Sequence, residues 1–247
     1  MRKASRLLSK LPNPDKTHVT IGVPAYGHIP SLCLVSFGSF VAHSVARGYA
    51  KHIATCVGAY IDRSRNDIVR QALGNKSTHL MFVDQDMILP ELALMRLLSH
   101  NKQVVGGLYF GKDDAFTPVA FELDPFKRVY DLTEQLYVQA HGWMPGEGEW
   151  EALSCTCGKP DDHMHQIGGT GMGCTLIKTS LFRKMAKEYG DQNWFSSKEC
   201  GEDVHFALRC KEMGVPFYLD GYIQCGHVRD QLVTAQHYVW AKEQLDG

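Results

Sequence analysis

The chain has no long hydrophobic run, no excess of charge of either sign, no internal repeat and no low-complexity tract. Its apolar stretches fall short of the roughly 18 residues a membrane-spanning helix requires, so no transmembrane segment is expected. Lys and Arg number 26 against 27 Asp and Glu, a net charge of -1. That balance removes the basic footprint of a generic nucleic-acid binder. The only basic run is N-terminal, with Arg2, Lys3 and Arg6. Leu7, Leu8 and Leu11 behind it are interrupted by polar residues and Pro12, which is not the pattern of a secretory signal. The eight cysteines are mostly scattered singly, and without an export signal they are expected to be reduced thiols of a cytoplasmic protein.

What is present suits a folded α/β protein. At 247 residues, 44% hydrophobic and 21% charged, the chain suffices for one large domain with a buried core. The expected layout is a lead-in over residues 1–17, a single domain over 18–230 and a terminal helix over 231–247. Within the domain, strands are predicted over 18–23, 54–60, 79–83 and 103–109. Helices follow the first three, over 31–47, 62–73 and from Pro90 onward. Such alternation predicts a mostly parallel sheet flanked by helices. In the first helix Leu34, Phe37, Val41 and Val45 recur at helical spacing. In the second, Ile68, Val69 and Ala72 face the sheet and leave Arg65 and Arg70 accessible. In the third, Leu94, Leu97 and Leu98 make the stripe.

Two short strands, over 118–123 and 129–132, predict a small antiparallel portion. Residues 134–166 form an irregular excursion. Beyond it come a strand over 173–178, a helix capped by Thr179 and Ser180, a helix over 202–213 with Val204, Ala207 and Leu208 on one side, and a strand over 216–219.

Chemistry concentrates where apolar strands stop. The run His79-Leu80-Met81-Phe82-Val83 ends on Asp84-Gln85-Asp86, at the carboxyl end of a buried strand, where open α/β sheets bind ligands. Two carboxylates there suit Mn²⁺ or Mg²⁺ carrying phosphates, with Asp86 on the ion and Asp84 on ribose or a metal-bound water. Capping or simple solvation would explain the same three residues. Gly168-Gly169-Thr170-Gly171-Met172-Gly173 permits close backbone approach to a ligand, or makes a tight turn. Glu202 and Asp203 open a helix, where a carboxylate either complements the dipole or serves as a general base. His227 follows a late strand and is a candidate metal ligand or a structural histidine.

In this order the segments Ile21-Gly22-Val23-Pro24-Ala25-Tyr26, Ser64-Arg65-Asn66-Asp67-Ile68-Val69, Asp84-Gln85-Asp86, Gly169-Thr170-Gly171, Gly201-Glu202-Asp203 and Gly226-His227 resemble those of GT-A fold glycosyltransferases of the family 2 type, in the compact form found in bacteria and their viruses. The resemblance spans residues 18–230. It implies a nucleotide-diphosphate sugar donor and a hexosyl or pentosyl transfer to a hydroxyl, with a saccharide favoured as acceptor and a modified DNA base as the lesser choice. Pro24, Ala25, Tyr26, Arg65, Asn66 and Asp84 would hold the nucleotide, and Asp84, Asp86 and His227 the metal. Gly169, Thr170 and Gly171 would lie at the donor sugar. Glu202 and Asp203 would lie at the acceptor, with Asp203 as base of an inverting transfer.

Two other readings fit single motifs. A strand ending in Asp84-Gln85-Asp86 is also that of a haloacid-dehalogenase-like phosphatase with Asp84 as nucleophile. Cys155, Cys157, His163 and His165 could hold a structural Zn²⁺ and make the excursion a non-catalytic binding module. Trp143, Trp150 and Trp194 are candidates to stack on an acceptor.

Overall fold

The computed structural model describes residues 10–112, 116–123, 126–128, 164–228 and 232–234. A 3₁₀ turn at Pro14–Lys16 precedes β1 (Val19–Ala25), α1 (Ser31–Ala46), β2 (Ala50–Val57), α2 (Ile61–Gly74) and β3 (His79–Val83). Then come β4 (Met87–Ile88), α3 (Ala93–Ser99), β5 (Val104–Leu108), β6 (Ala120–Leu123) and β7 (Phe126–Arg128). The rest is β8 (Met164–Ile167), β9 (Gly169–Thr170), β10 (Cys174–Lys178), α4 (Thr179–Tyr189), α5 (Glu202–Glu212), β11 (Phe217–Gln224), β12 (Gly226–Val228) and β13 (Leu232–Val233).

Seven strands form the central sheet in the order β2-β1-β3-β10-β5-β11-β8. β2, β1 and β3 pair in parallel, as do β5 and β11, while β10 and β8 run against their neighbours. Two small sheets, β13-β12-β4 and β7-β6-β9, are antiparallel. This is the expected architecture of the GT-A type, a mostly parallel sheet between helices with a small antiparallel portion.

β3 is apolar on both faces because it is covered on both. Leu80 and Phe82 enter the core under α2, α4 and α5, whereas Met81 and Val83 enter the core under α1 and α3. In the first core Phe206 stacks on Phe195 at 4.9 Å and meets Phe217 edge-on at 5.9 Å. Burying each such ring contributes about 1.5–3 kcal/mol. α2 lies so close to β1 that a Cβ at Gly22 would sit 2.4 Å from the Ile68 side chain. Leu94, Leu97 and Leu98 are buried as their spacing implies.

Several expectations are corrected. α1 buries Cys33, Phe40 and Ser44, while Leu34 and Val45 stand in solvent, because a helix without charged residues offers no polar face to fix its rotation. α3 begins at Ala93 rather than Pro90, whose carbonyl instead accepts the Ala93 amide across a turn. Thr179 does not cap α4, since its hydroxyl donates to the Ser77 carbonyl at 2.6 Å. α5 buries Phe206, Ala207 and Cys210 and leaves Leu208 exposed. The end of the excursion is β8, an edge strand of the central sheet, and His165 is buried in it. The strand over 216–219 is longer, running through Gln224 with a register break after Asp220. Leu232–Val233 is a strand, not the start of a helix.

Trp194 is a core residue whose indole N–H donates to the Phe182 carbonyl at 2.8 Å, so it presents nothing to an acceptor. The expected strand over 129–132, Trp143, Trp150, Cys155, Cys157, His163 and the terminal segment 235–247 lie outside the described residues. The described cysteines are free thiols.

Candidate active site

The carboxyl ends of β1, β3 and β5 open on one side of the sheet, and the turn Asp84-Gln85-Asp86 lies there. The strand stops at Val83 because the Met87 amide donates to the Asp84 carbonyl at 3.1 Å, closing a turn instead of continuing the ladder. The turn sends its two acids to different partners. The Gln85 side-chain oxygen accepts the Tyr26 amide at 2.6 Å and ties the turn to the loop leaving β1, whose last residues Pro24 and Ala25 are buried and whose Tyr26 is exposed.

Asp84 faces Arg65. The guanidinium Nη2 donates to Asp84 Oδ1 at 3.1 Å and approaches Oδ2 at 3.4 Å, while Nη1 is hydrogen-bonded to Glu202 Oε1. Arg65 is only 4% exposed, against the expectation that it would be accessible. A buried cation between two acids from different elements explains the burial: each carboxylate offsets the desolvation of the guanidinium. Burial lowers the Arg65 pKa, but Asp84, Glu202 and Asp203 outweigh it and raise the value above the ordinary one. Its Nε has no hydrogen-bond partner among the described residues. Glu202 is pushed up, chiefly by burial and partly against Arg65. Asp203, half-buried in the first turn of α5, accepts the amide of Val204 at 2.8 Å through Oδ1.

Asp86 faces the other way. Lys112 hydrogen-bonds to its Oδ2, and His227 Nε2 lies 3.6 Å from Oδ1. Burial raises the Asp86 carboxyl, yet His227 beside it and the bond from Lys112 prevail and hold it at about 2. His227 Nδ1 lies 2.8 Å from the Phe110 carbonyl, which can only accept. Nδ1 therefore donates to that carbonyl, and Nε2 is the ring nitrogen turned toward Asp86. The Tyr109 ring meets His227 edge-on at 5.6 Å, and its hydroxyl accepts the Gly173 amide at 3.2 Å. Burial and then Asp84 drive the Tyr109 pKa well up.

The expected three-residue metal set is thus reduced to two. Among the described residues no group of three or more His, Cys, Asp or Glu side chains gathers to hold a metal. Asp84, engaged by Arg65, does not join Asp86 and His227. The remaining pair still fits Mg²⁺ or Mn²⁺, which bind through one or two protein groups with phosphate oxygens and water completing the shell. Lys112 already sets a cation against Asp86. Among the described residues, four carboxylates, Asp84, Asp86, Glu202 and Asp203, face two cations, Arg65 and Lys112, an excess of negative charge.

Other expected site residues serve the fold. The Asn66 amide nitrogen donates to the Phe195 carbonyl at 2.8 Å and to Asn193 Oδ1 at 3.2 Å, and its oxygen accepts the Phe195 amide at 3.0 Å. It clamps a loop and leaves no polar atom for a nucleotide. Gly169 and Thr170 are buried in β9, and Thr170 donates its hydroxyl to the Val119 carbonyl at 2.5 Å. A Cβ at Gly169 would lie 2.5 Å from the Phe121 ring, and one at Gly171 would lie 2.1 Å from the Tyr109 hydroxyl. The close approach that these glycines permit is taken up by neighbouring rings.

Three participants went unmarked in the sequence: Tyr109, Gln85 and the ion pair of Lys112 with Asp86. Only the position of Lys112, in a loop leaving a strand on the ligand side, hinted at its part.

No family model matches the sequence, and none of the curated proteins does. Among solved structures the chain is similar to A197 from STIV, at 16% identity and a TM-score of 0.57, over 90% of this chain and 92% of that one. It also aligns with 4-diphosphocytidyl-2C-methyl-D-erythritol synthase from Anaerococcus prevotii over 94% of this chain and 99% of that one, but at 9% identity and a TM-score of 0.42 that likeness carries no weight. What the first similarity establishes is a shared fold across nine-tenths of the chain.

Proposed function

We propose that the protein transfers a sugar from a nucleotide-diphosphate donor to a hydroxyl acceptor, with Mn²⁺ or Mg²⁺ held by Asp86 and His227. The observation that carries this reading is the Asp86–His227 pair: an ionised carboxylate and an imidazole whose Nε2 faces it, 3.6 Å apart at the ligand-binding end of the sheet. When bound, the ion would supply Lewis-acid stabilisation of the negative charge on the departing diphosphate. Tyr26, exposed and tied to the turn through Gln85, would meet the base, with the buried Pro24 and Ala25 behind it. Lys112, released from Asp86 by the ion, would meet a phosphate oxygen.

Of the two acids on α5, Asp203 is the better general base. Glu202 is tied to a buried arginine, whereas Asp203 keeps Oδ2 for an acceptor hydroxyl. A single base on the acceptor side is the arrangement of an inverting transfer. The phosphatase alternative is disfavoured because Arg65 engages both oxygens of Asp84, and a nucleophile needs one of them unencumbered. A saccharide remains the favoured acceptor.

The test is a screen of nucleotide sugars with Mn²⁺, read by release of nucleoside diphosphate and by thermal shift. A hit that disappears in Asp86→Ala, while that variant still unfolds in one cooperative transition above the assay temperature, supports the reading. Metal-independent turnover, or a hit that survives in Asp86→Ala, overturns it.

A further inference from the structure

β11 breaks its ladder shortly before the chain reaches His227. Asp220 lies opposite Gly107 of β5 and Gln224 opposite Leu108, so one step on β5 takes four on β11, and three residues, Gly221, Tyr222 and Ile223, are left over. Three residues of strand are about 10 Å long. Past the break the Cys225 amide donates to the Leu108 carbonyl at 2.8 Å, and Gly226 and His227 pair with Ile88 and Met87 of β4. A strand that ran on in register would carry His227 past that position by the length of the three extra residues.

A buried carboxylate holds the extra residues. Asp220 is fully buried, and its Oδ1 accepts both the Tyr222 amide at 2.9 Å and Arg96 Nη2 at 3.0 Å. The first of these bonds, to the backbone two residues on, is what an aspartate uses to start a turn. Oδ2 lies 2.6 Å from His100 Nε2. The Arg96 guanidinium also stands over the Tyr222 ring, 4.7 Å from its centre. Ile223 is buried where Gly107 has no side chain: a Cβ on Gly107 would lie 2.5 Å from the Ile223 methyl. Arg96 lies on α3 and His100 is its C-cap, and α3 is the element that follows β4. The helix after β4 thus grips the loop before β12, and β4 and β12 are the two strands that bring Asp86 and His227 together.

A buried ion pair is a weak source of stability, because the desolvation of both charges opposes their attraction. Here a single carboxylate oxygen joins α3 to the loop, and an irregularity of this kind next to a site redirects the side chains that follow it. We infer that Asp220 is a positioning residue for His227: gripped by Arg96 and His100, it sets how much chain β11 takes up and so where β12 delivers the imidazole to Asp86. The consequence for turnover rests on the metal role proposed for that pair, whereas the placement of β12 does not.

The experiment compares the full chain with Asp220→Asn and with the milder Arg96→Gln, at a side chain that is 25% exposed. Amide hydrogen exchange of the metal-free protein reads the placement through Cys225 and through Val228, whose amide donates to the Asp86 carbonyl. In both variants these two amides should exchange about tenfold faster or more relative to Met81 of β3 in the same variant; a merely global loss of stability would move all three together. Mn²⁺ affinity, followed by water-proton relaxation with Mn²⁺ alone, should fall by about ten- to a hundredfold. An exchange ratio unchanged in both variants overturns the inference, and so does a raised ratio with unchanged Mn²⁺ affinity. A parent chain that takes up no Mn²⁺ overturns the metal reading instead, and the exchange ratio then decides the placement by itself.

Discussion

His227 faces Asp86 because β12 pairs antiparallel with β4, setting His227 opposite Met87, while the Val228 amide donates to the Asp86 carbonyl at 2.9 Å. The imidazole and the carboxylate are therefore held by backbone bonds on both sides, and the gap between them is fixed by strand register rather than by side-chain choice. A two-residue strand, invisible as a hydrophobic pattern, aligns the proposed metal site.

Removing either member of this pair is expected to abolish metal-dependent turnover while sparing the fold. For Asp86→Ala and for His227→Ala the loss should exceed about a hundredfold, since partners one step further from a metal already cost about ten- to a hundredfold. Calorimetric titration with Mn²⁺ in the presence of nucleoside diphosphate, and rates on a donor identified by screening, provide the check.

Arg65 is expected to be a stability residue as much as a site residue. Arg65→Met leaves Asp84 and Glu202 facing each other across a buried gap and should cost about 3–5 kcal/mol. Arg65→Lys should not rescue it, because one ammonium cannot bridge two carboxylates as the guanidinium fork does. Urea denaturation of both variants measures the effect.

Asn66→Ala separates a nucleotide role from a structural one. Loss of its bonds to Asn193 and Phe195 should destabilise the fold by about 1–3 kcal/mol. The KM for the donor, measured well below the lowered melting temperature, should stay within about twofold of the parent, since a partner making no donor contact contributes no binding.

Acid lability should come from Asp86 and Asp220. Asp220 is fully buried, and burial raises its pKa. The bond to His100 at 2.6 Å and the pairing with Arg96 outweigh that and lower the value. A carboxylate whose folded pKa is depressed contributes stability that is present above the unfolded value and lost as pH falls through the folded one. Asp86, at about 2 when folded, should therefore contribute about 2 kcal/mol that fades between about pH 4 and pH 2. Denaturation curves across this range should show the loss, and Asp220→Asn should flatten it at the cost of lower stability at neutral pH.

Glycines divide by environment. Gly171→Ala must displace the Tyr109 hydroxyl and should cost about 1–3 kcal/mol. Gly38, where a Cβ meets nothing within 4 Å, sits in mid-helix, so Gly38→Ala should stabilise by about 0.5–1 kcal/mol. Thermal melting of the two variants reads the contrast directly.

Much of the fold was legible along the chain. The apolar run ending in Val83, the βα alternation, the Ile68-Val69-Ala72 and Leu94-Leu97-Leu98 stripes and the helix start at Glu202 are local patterns, set by burial and backbone period over a few residues. The sequence alone also put both acids of Asp84-Gln85-Asp86 at the ligand end of the sheet. Which way each acid turned was not local. Arg65 from α2 claims Asp84 and Lys112 with His227 claims Asp86, and only the packing of α2, β5 and β12 around β3 brings those partners within reach. The same holds for Asn66 and the glycine run, whose residue types suit a ligand site equally well, and whose polar atoms or free space the tertiary structure gives to Phe195, Phe121 and Tyr109. Residue type sets what a side chain is able to bond. Competition among neighbours from distant segments, which no local period encodes, decides what it does bond.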